Sequence, residues 1–235
     1  MTLDVIAFDA DDTLWHSETL YLAAQEKLKQ LLSKYAPVET VAQAFQRIEI
    51  ANLPHFGYGI KGFVLSMVEA AVEISHGQVE GREIQTIIGF AREMLDSPVQ
   101  LFDGAQETVA RLVAAHRLML ITKGDLLDQE TKIARSGLAD YFAIVEIVSH
   151  KSADVYEAIL ERWAIAPPRF LMVGNSLKSD ILPVVAIGGQ AVYIPYSLTW
   201  GHEAVADPGG GEQKGYFELA HISLLPDLVG RLSGD

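Results

Sequence analysis

Short apolar runs recur along this chain at residues 3–8, 117–122, 143–148, 169–173 and 191–194. Runs of this length, rich in β-branched and aliphatic residues, read as strands buried on both faces. From about residue 98 onward they alternate with helical patterns at 105–116, 126–136, 155–163 and 181–187. Strand and helix in alternation predict a parallel sheet with helices on both faces. The alternation fails only between the first two strands. There the chain shows helical periodicity at 17–32, 38–50, 63–74 and 84–95, and nothing resembling a strand. The expected fold is therefore α/β. A parallel-sheet core is formed by residues 1–16 plus 98–235, and a helical unit, 17–97, is inserted after the first strand. A chain of 235 residues, 49% of them hydrophobic, is long enough for both.

Composition narrows the partners. The formal net charge of −13 argues against nucleic acid and anionic membrane as binding surfaces. The absence of cysteine excludes disulfides, thiolate metal sites and cysteine nucleophiles. Residues 1–4 lead straight into a strand without a basic leader, and no uncharged apolar stretch reaches membrane-spanning length. A cytoplasmic protein is expected. Oligomeric state carries no signal.

The first strand ends in an unusual word, Phe8-Asp9-Ala10-Asp11-Asp12-Thr13. If the extended geometry persists, Asp9 and Asp11 leave the same face of the strand's carboxyl end. Ligands of open α/β sheets bind at that rim. Two carboxylates there repel unless a metal or a shared proton resolves the conflict. A turn with Asp12 or Thr13 capping a following helix is the simpler reading, and for Asp12 it is the one expected. Later strands also end in polar groups: Thr122-Lys123 after the second, Lys151 after the third, and Gly174-Asn175 with Asp180 after the fourth. Taken singly, Thr122 reads as a cap and Lys151 as a solvated lysine. Together, acids, a hydroxyl, lysines and a carboxamide on one rim suit an anion beside a divalent cation, with a carboxylate able to attack.

These motifs resemble those of the haloacid dehalogenase superfamily of hydrolases, most of which are phosphatases. The resemblance spans essentially the whole chain. It implies a Rossmann-like core, with the helical insert as a cap over small substrates. It implies Asp9 as the nucleophile and Asp11 as the acid and base. Thr122, Lys123 and Lys151 would bind phosphate. Mg²⁺ would be held by Asp9, Asp180, Asn175 and the backbone carbonyl of Asp11. Three positions depart from the usual pattern: Asn175 replaces an Asp, Ser152 follows Lys151 in place of Pro, and Asp12 replaces a common Gly. The implied activity is Mg²⁺-dependent hydrolysis of a small phosphorylated metabolite. The alternatives are a 2-haloacid dehalogenase and a non-catalytic phosphometabolite-binding protein.

One pattern misleads. Gly57-Tyr58-Gly59-Ile60-Lys61-Gly62 fits the dinucleotide fingerprint but lacks the preceding strand that the fingerprint needs. It reads instead as part of a loop, 52–59, that breaks the helical unit. Tyr58 and Lys61 are the expected specificity residues, with Asn52 and His55 beside them.

Overall fold

The computed structural model describes residues 3–198 and 215–233. The glycine-rich stretch 207–214, expected to be a loop, and the first two residues lie outside that description. The chain runs β1 (Val5–Phe8), α1 (Glu18–Leu32), α2 (Val38–Phe56), α3 (Ile60–Ile74), α4 (Gly81–Asp96), α5 (Ala105–Leu112), β2 (Arg117–Lys123), α6 (Leu126–Arg135) and β3 (Ile144–Val148). It continues through α7 (Ala153–Arg162), β4 (Phe170–Gly174), α8 (Leu182–Ala186), β5 (Gln190–Tyr193), β6 (Phe217–Glu218) and α9 (Leu225–Ser233). The strands form one parallel sheet in the order β3-β2-β1-β4-β5-β6.

The chain divides into two units. The first comprises Met1–His16, Val99–Lys123 and Thr131–Asp235, and carries the sheet. Its central strands β1, β2, β4 and β5 are largely buried, as their apolar runs require, whereas the edge strands β3 and β6 keep exposed residues. Ile6, Phe8, Leu120 and Val173 meet Val109 of α5 and Val229 of α9 on one face. Val5, Ala7, Ile121 and Met172 meet Tyr156 and Ile159 of α7 on the other. The alternation of successive β1 residues between the two cores is the period of two of a strand. The chain leaves and re-enters this unit side by side. His16 N donates to Gln100 O at 2.9 Å and Phe102 N to Leu14 O at 2.9 Å, with Trp15 bridged antiparallel to Leu101.

The second unit is Ser17–Pro98 with Gly124–Glu130. Its four long helices close around Leu28, Leu32, Val41, Phe45, Ile48, Phe63, Met67 and Ile87. One expectation fails here. The segment 52–56 is the last turn and a half of α2, with Pro54 inside the helix. A proline lacks only one donor, and the helix is held past it by packing. Asn52 Nδ2 donates to Ser66 Oγ at 3.1 Å and to Glu69 Oε2 at 2.7 Å on α3. The break shrinks to Gly57, Tyr58 and Gly59, whose glycines take φ values of 70° and 115° that other residues rarely adopt.

Candidate active site

In this strand order the chain winds one way from β1 to β2 and the other way from β1 to β4. The crevice beyond their carboxyl ends is the topological switch point where open α/β sheets bind ligands. Asp9 stands there, directly after β1, its backbone N–H bonded to Val173 O of β4 at 2.9 Å. Lys151, just before α7, reaches across to it. Its Nζ donates to Asp9 Oδ1 at 2.5 Å and to Asp180 Oδ1 at 2.7 Å. All three residues are buried. Asp180 comes from a π-helical turn, Leu177–Ile181, after β4, and its Oδ2 accepts from Ser176 N at 3.0 Å. Gly174 makes room for it: a Cβ there would lie 2.4 Å from the Asp180 carboxyl. Tyr156 supports the turn from below, its hydroxyl donating to Ser179 O at 3.1 Å.

Thr13 is not a cap. Its hydroxyl lies 2.8 Å from Asp9 Oδ2 and 3.2 Å from Asn175 Oδ1. One hydroxyl proton serves only one of these acceptors at a time. The chain turns directly after residues 9–11. The N–H groups of Thr13, Leu14 and Trp15 all converge on Ala10 O, Asp12 takes φ 61°, and the chain turns at once. Asp11 therefore faces different partners from Asp9. Lys132 Nζ, on α6, is 2.8 Å from both Asp11 oxygens, and Trp15 Nε1 donates to Asp11 Oδ1 at 2.7 Å. The repulsion foreseen between the two acids is met by one lysine for each. Neither Lys132 nor Trp15 stood out in the sequence: a lysine among acids on a helix reads as solvated, and a tryptophan after an apolar residue reads as core.

Electrostatics follow from burial. Burial pushes the Asp9 carboxyl up to about 7; Lys151 pulls against this, and Asp180 and Asp11 add to it. Burial alone would pull the Lys151 ammonium down, but Asp180 and Asp9 outweigh it and raise its pKa. Two buried carboxylates thus share one ammonium. Among the described residues no three His, Cys, Asp or Glu side chains group as a metal site. The oxygens that do converge are those of Asp9, Asp180, Thr13 and Asn175. A cluster of hard oxygen donors with an excess of negative charge fits a hard divalent cation.

The remaining expected residues are Thr122, Lys123, Tyr58 and Lys61. Thr122 is buried at the end of β2. Lys123, the next residue, donates from Nζ to Ser179 Oγ at 3.0 Å and so lies against the turn that carries Asp180. Tyr58 and Lys61 belong to the helical unit. Lys61 Nζ is 2.8 Å from Asp125 Oδ1, and this contact holds the Asp125 carboxyl below its ordinary pKa.

The fold and this rim define a hydrolase class, and sequence comparison agrees. Residues 3–188 match the haloacid dehalogenase-like hydrolase family, and the chain belongs to it. It is 27% identical over 211 residues to a glyceraldehyde 3-phosphate phosphatase of Pyrococcus abyssi, covering 83% of this chain and 82% of that one. It is 26% identical over 205 residues to the pyrimidine 5′-nucleotidase YjjG of Escherichia coli, covering 80% and 84%. In structure it is similar to a haloacid dehalogenase-like family hydrolase from Xanthomonas campestris. There the TM-score is 0.88 at 38% identity, over 99% of this chain and 92% of the other.

Proposed function

We propose that this chain is a Mg²⁺-dependent phosphatase that hydrolyses a small phosphorylated metabolite through an aspartyl-phosphate on Asp9. The observation that carries this reading is the buried Lys151 held between Asp9 and Asp180 at the switch point. A nucleophilic carboxylate must meet a phosphoryl group of like charge, and a fixed ammonium lowers that repulsion. The names of the phosphatase and nucleotidase relatives support the same chemistry.

In this mechanism Lys151 and Thr13 orient the Asp9 carboxylate, which attacks phosphorus. The bond to the leaving oxygen breaks, and that oxygen takes its proton from Asp11. Asp11 then takes a proton from water as the water attacks the phosphoryl group on Asp9. Inorganic phosphate departs and Asp9 is restored. Thr122, Lys123 and Lys151 bind the phosphoryl oxygens. Asp9, Asp180, Asn175 and the backbone carbonyl of Asp11 would hold Mg²⁺, which would supply positive charge to the site. The amide of Asn175 contributes an oxygen without a charge. The helical unit of 17–97 acts as the cap that selects the leaving group, with Tyr58 and Lys61 in its specificity loop. Dehalogenation is disfavoured because a halide leaves without a proton and gives Asp11 no task.

The test is hydrolysis of an aryl phosphate and a panel of phosphorylated metabolites, with and without Mg²⁺. Asp9→Asn is expected to abolish turnover with an unchanged circular dichroism spectrum, since the covalent route is lost. A well-folded Asp9→Asn with wild-type rates overturns the reading. Metal-independent release of halide from a 2-haloacid points to the dehalogenase instead. Mg²⁺ binding without any turnover points to a binding protein.

A further inference from the structure

The turn after β1 leaves the Asp11 backbone little freedom. Three N–H groups converge on Ala10 O, Asp12 N–H bonds Trp15 O at 2.7 Å, and Asp11 is bridged to Trp15. What remains to be set is the direction of the Asp11 carboxylate. Lys132 and Trp15 both hold it. Lys132 Nζ contacts both oxygens at 2.8 Å, and Trp15 Nε1 contacts Oδ1 at 2.7 Å. The anchors are stiff. Trp15 is 1% exposed, packed in the sheet core and bridged on its other side to Leu101. The Lys132 side chain is 15% exposed, and that of Asp11 26%. The pair is therefore more than a solvated surface contact, for which orientation would carry little weight.

We propose that Lys132 and Trp15 are positioning residues for Asp11, fixing the direction from which its carboxyl exchanges a proton with the leaving oxygen and with water. This rests on the phosphatase reading, in which Asp11 is the acid and base. A proton donor works only within hydrogen-bond reach and alignment of its target. A misplacement of about 1 Å can cost about 10²-fold in rate. Neither residue needs to touch substrate.

The test combines kinetics with a signal that needs no turnover. Lys132→Met keeps the length of the side chain and removes the cation; Lys132→Arg keeps the cation. Lys132→Met is expected to lower kcat for an alkyl phosphate about 10²-fold, at the scale of a misplaced catalytic group, with KM nearly unchanged. An ester with a good leaving group should lose far less in single-turnover phosphoryl transfer. Lys132→Arg should recover most of the rate. In an Asp11→Asn background Lys132→Met should cost almost nothing, because a residue acting through Asp11 has nothing left to position. The indole N–H resonance of Trp15, assigned with Trp15→Phe, should move in both Lys132→Met and Asp11→Asn. The indole of Trp163, which donates to Glu146 at 2.7 Å, should not. Additive losses in the double variant, equal losses for both leaving groups, or an unmoved Trp15 signal overturn the proposal. Failure of the underlying reading shows separately. Hydrolysis untouched by Asp9→Asn overturns the aspartyl-phosphate mechanism and this role with it. An inactive Asp9→Asn with additive Lys132 and Asp11 losses overturns the positioning alone.

Discussion

Lys151 has two carboxylates to serve and almost no water, its side chain being 2% exposed. Removing one partner of such a cluster leaves uncompensated charge in the interior, which costs about 3–5 kcal/mol. Lys151→Met is therefore expected to lower stability by about that much in urea unfolding without metal. Adding Asp9→Asn to it should restore part of the loss, since one of the stranded charges is gone. If Lys151→Met leaves the unfolding midpoint unchanged, the cluster is not the closed charge system described above. At Gly174 the constraint is steric: an added Cβ meets Asp180 at 2.4 Å, so any side chain there displaces the carboxylate that Lys151 holds.

Two helices of the insert carry carboxylates perturbed in opposite directions. Glu49, on α2, is half-buried, and burial raises its pKa to about 7. A carboxyl whose folded pKa lies above its unfolded value weakens the fold as pH rises from about 4.5 to 7. Glu49→Gln should accordingly stabilise the protein at pH 8 by about 3–4 kcal/mol, at about 1.4 kcal/mol per pKa unit, and have little effect near pH 4. Glu83, in the first turn of α4, is the reverse. Its pKa is lowered to about 2, first by the Glu80 N–H at 3.0 Å, then by the Tyr35 hydroxyl at 2.7 Å, with Lys34 at 3.2 Å adding to both. Its stabilisation is complete above the unfolded carboxylate range and is lost as pH falls toward 2. Melting temperatures of Glu83→Gln and wild type should differ at pH 7 and converge as the solution is acidified. Parallel pH curves for either variant contradict the assigned cause.

Across the whole molecule the net charge of −13 surrounds a site that, on the proposed phosphatase reading, gathers both a cation and a phosphate ester. A negative field draws Mg²⁺ and repels the ester, and salt screens both within a Debye length of about 8–10 Å at ordinary ionic strength. The Mg²⁺ concentration for half-maximal turnover is thus expected to rise as NaCl is added, while KM for a dianionic ester falls. Salt-independent constants would mean that only the contacts at the rim matter. Among the described residues no helix is long and apolar enough to cross a membrane.

Much of this was legible along the chain. Apolar runs with helices between them dictated a parallel sheet, because strands buried on both faces have no other economical solution. Polar residues at successive strand ends marked the rim, since parallel strands bring their carboxyl ends together. Helical periodicity marked the insert. Tertiary structure decided what periodicity does not encode. Packing against α3 carried α2 through Pro54, where local propensity predicts a loop. The turn on Ala10 sent Asp9 to Lys151 and Asp11 to Lys132, two partners 142 and 121 residues away. It also made Thr13 a neighbour of both Asp9 and Asn175. Lys61 meets Asp125 on a segment 64 residues on. A sequence displays which groups a chain owns and the period with which it presents them. Which charge answers which is settled only when the fold brings distant segments within a few ångströms and removes the water between them.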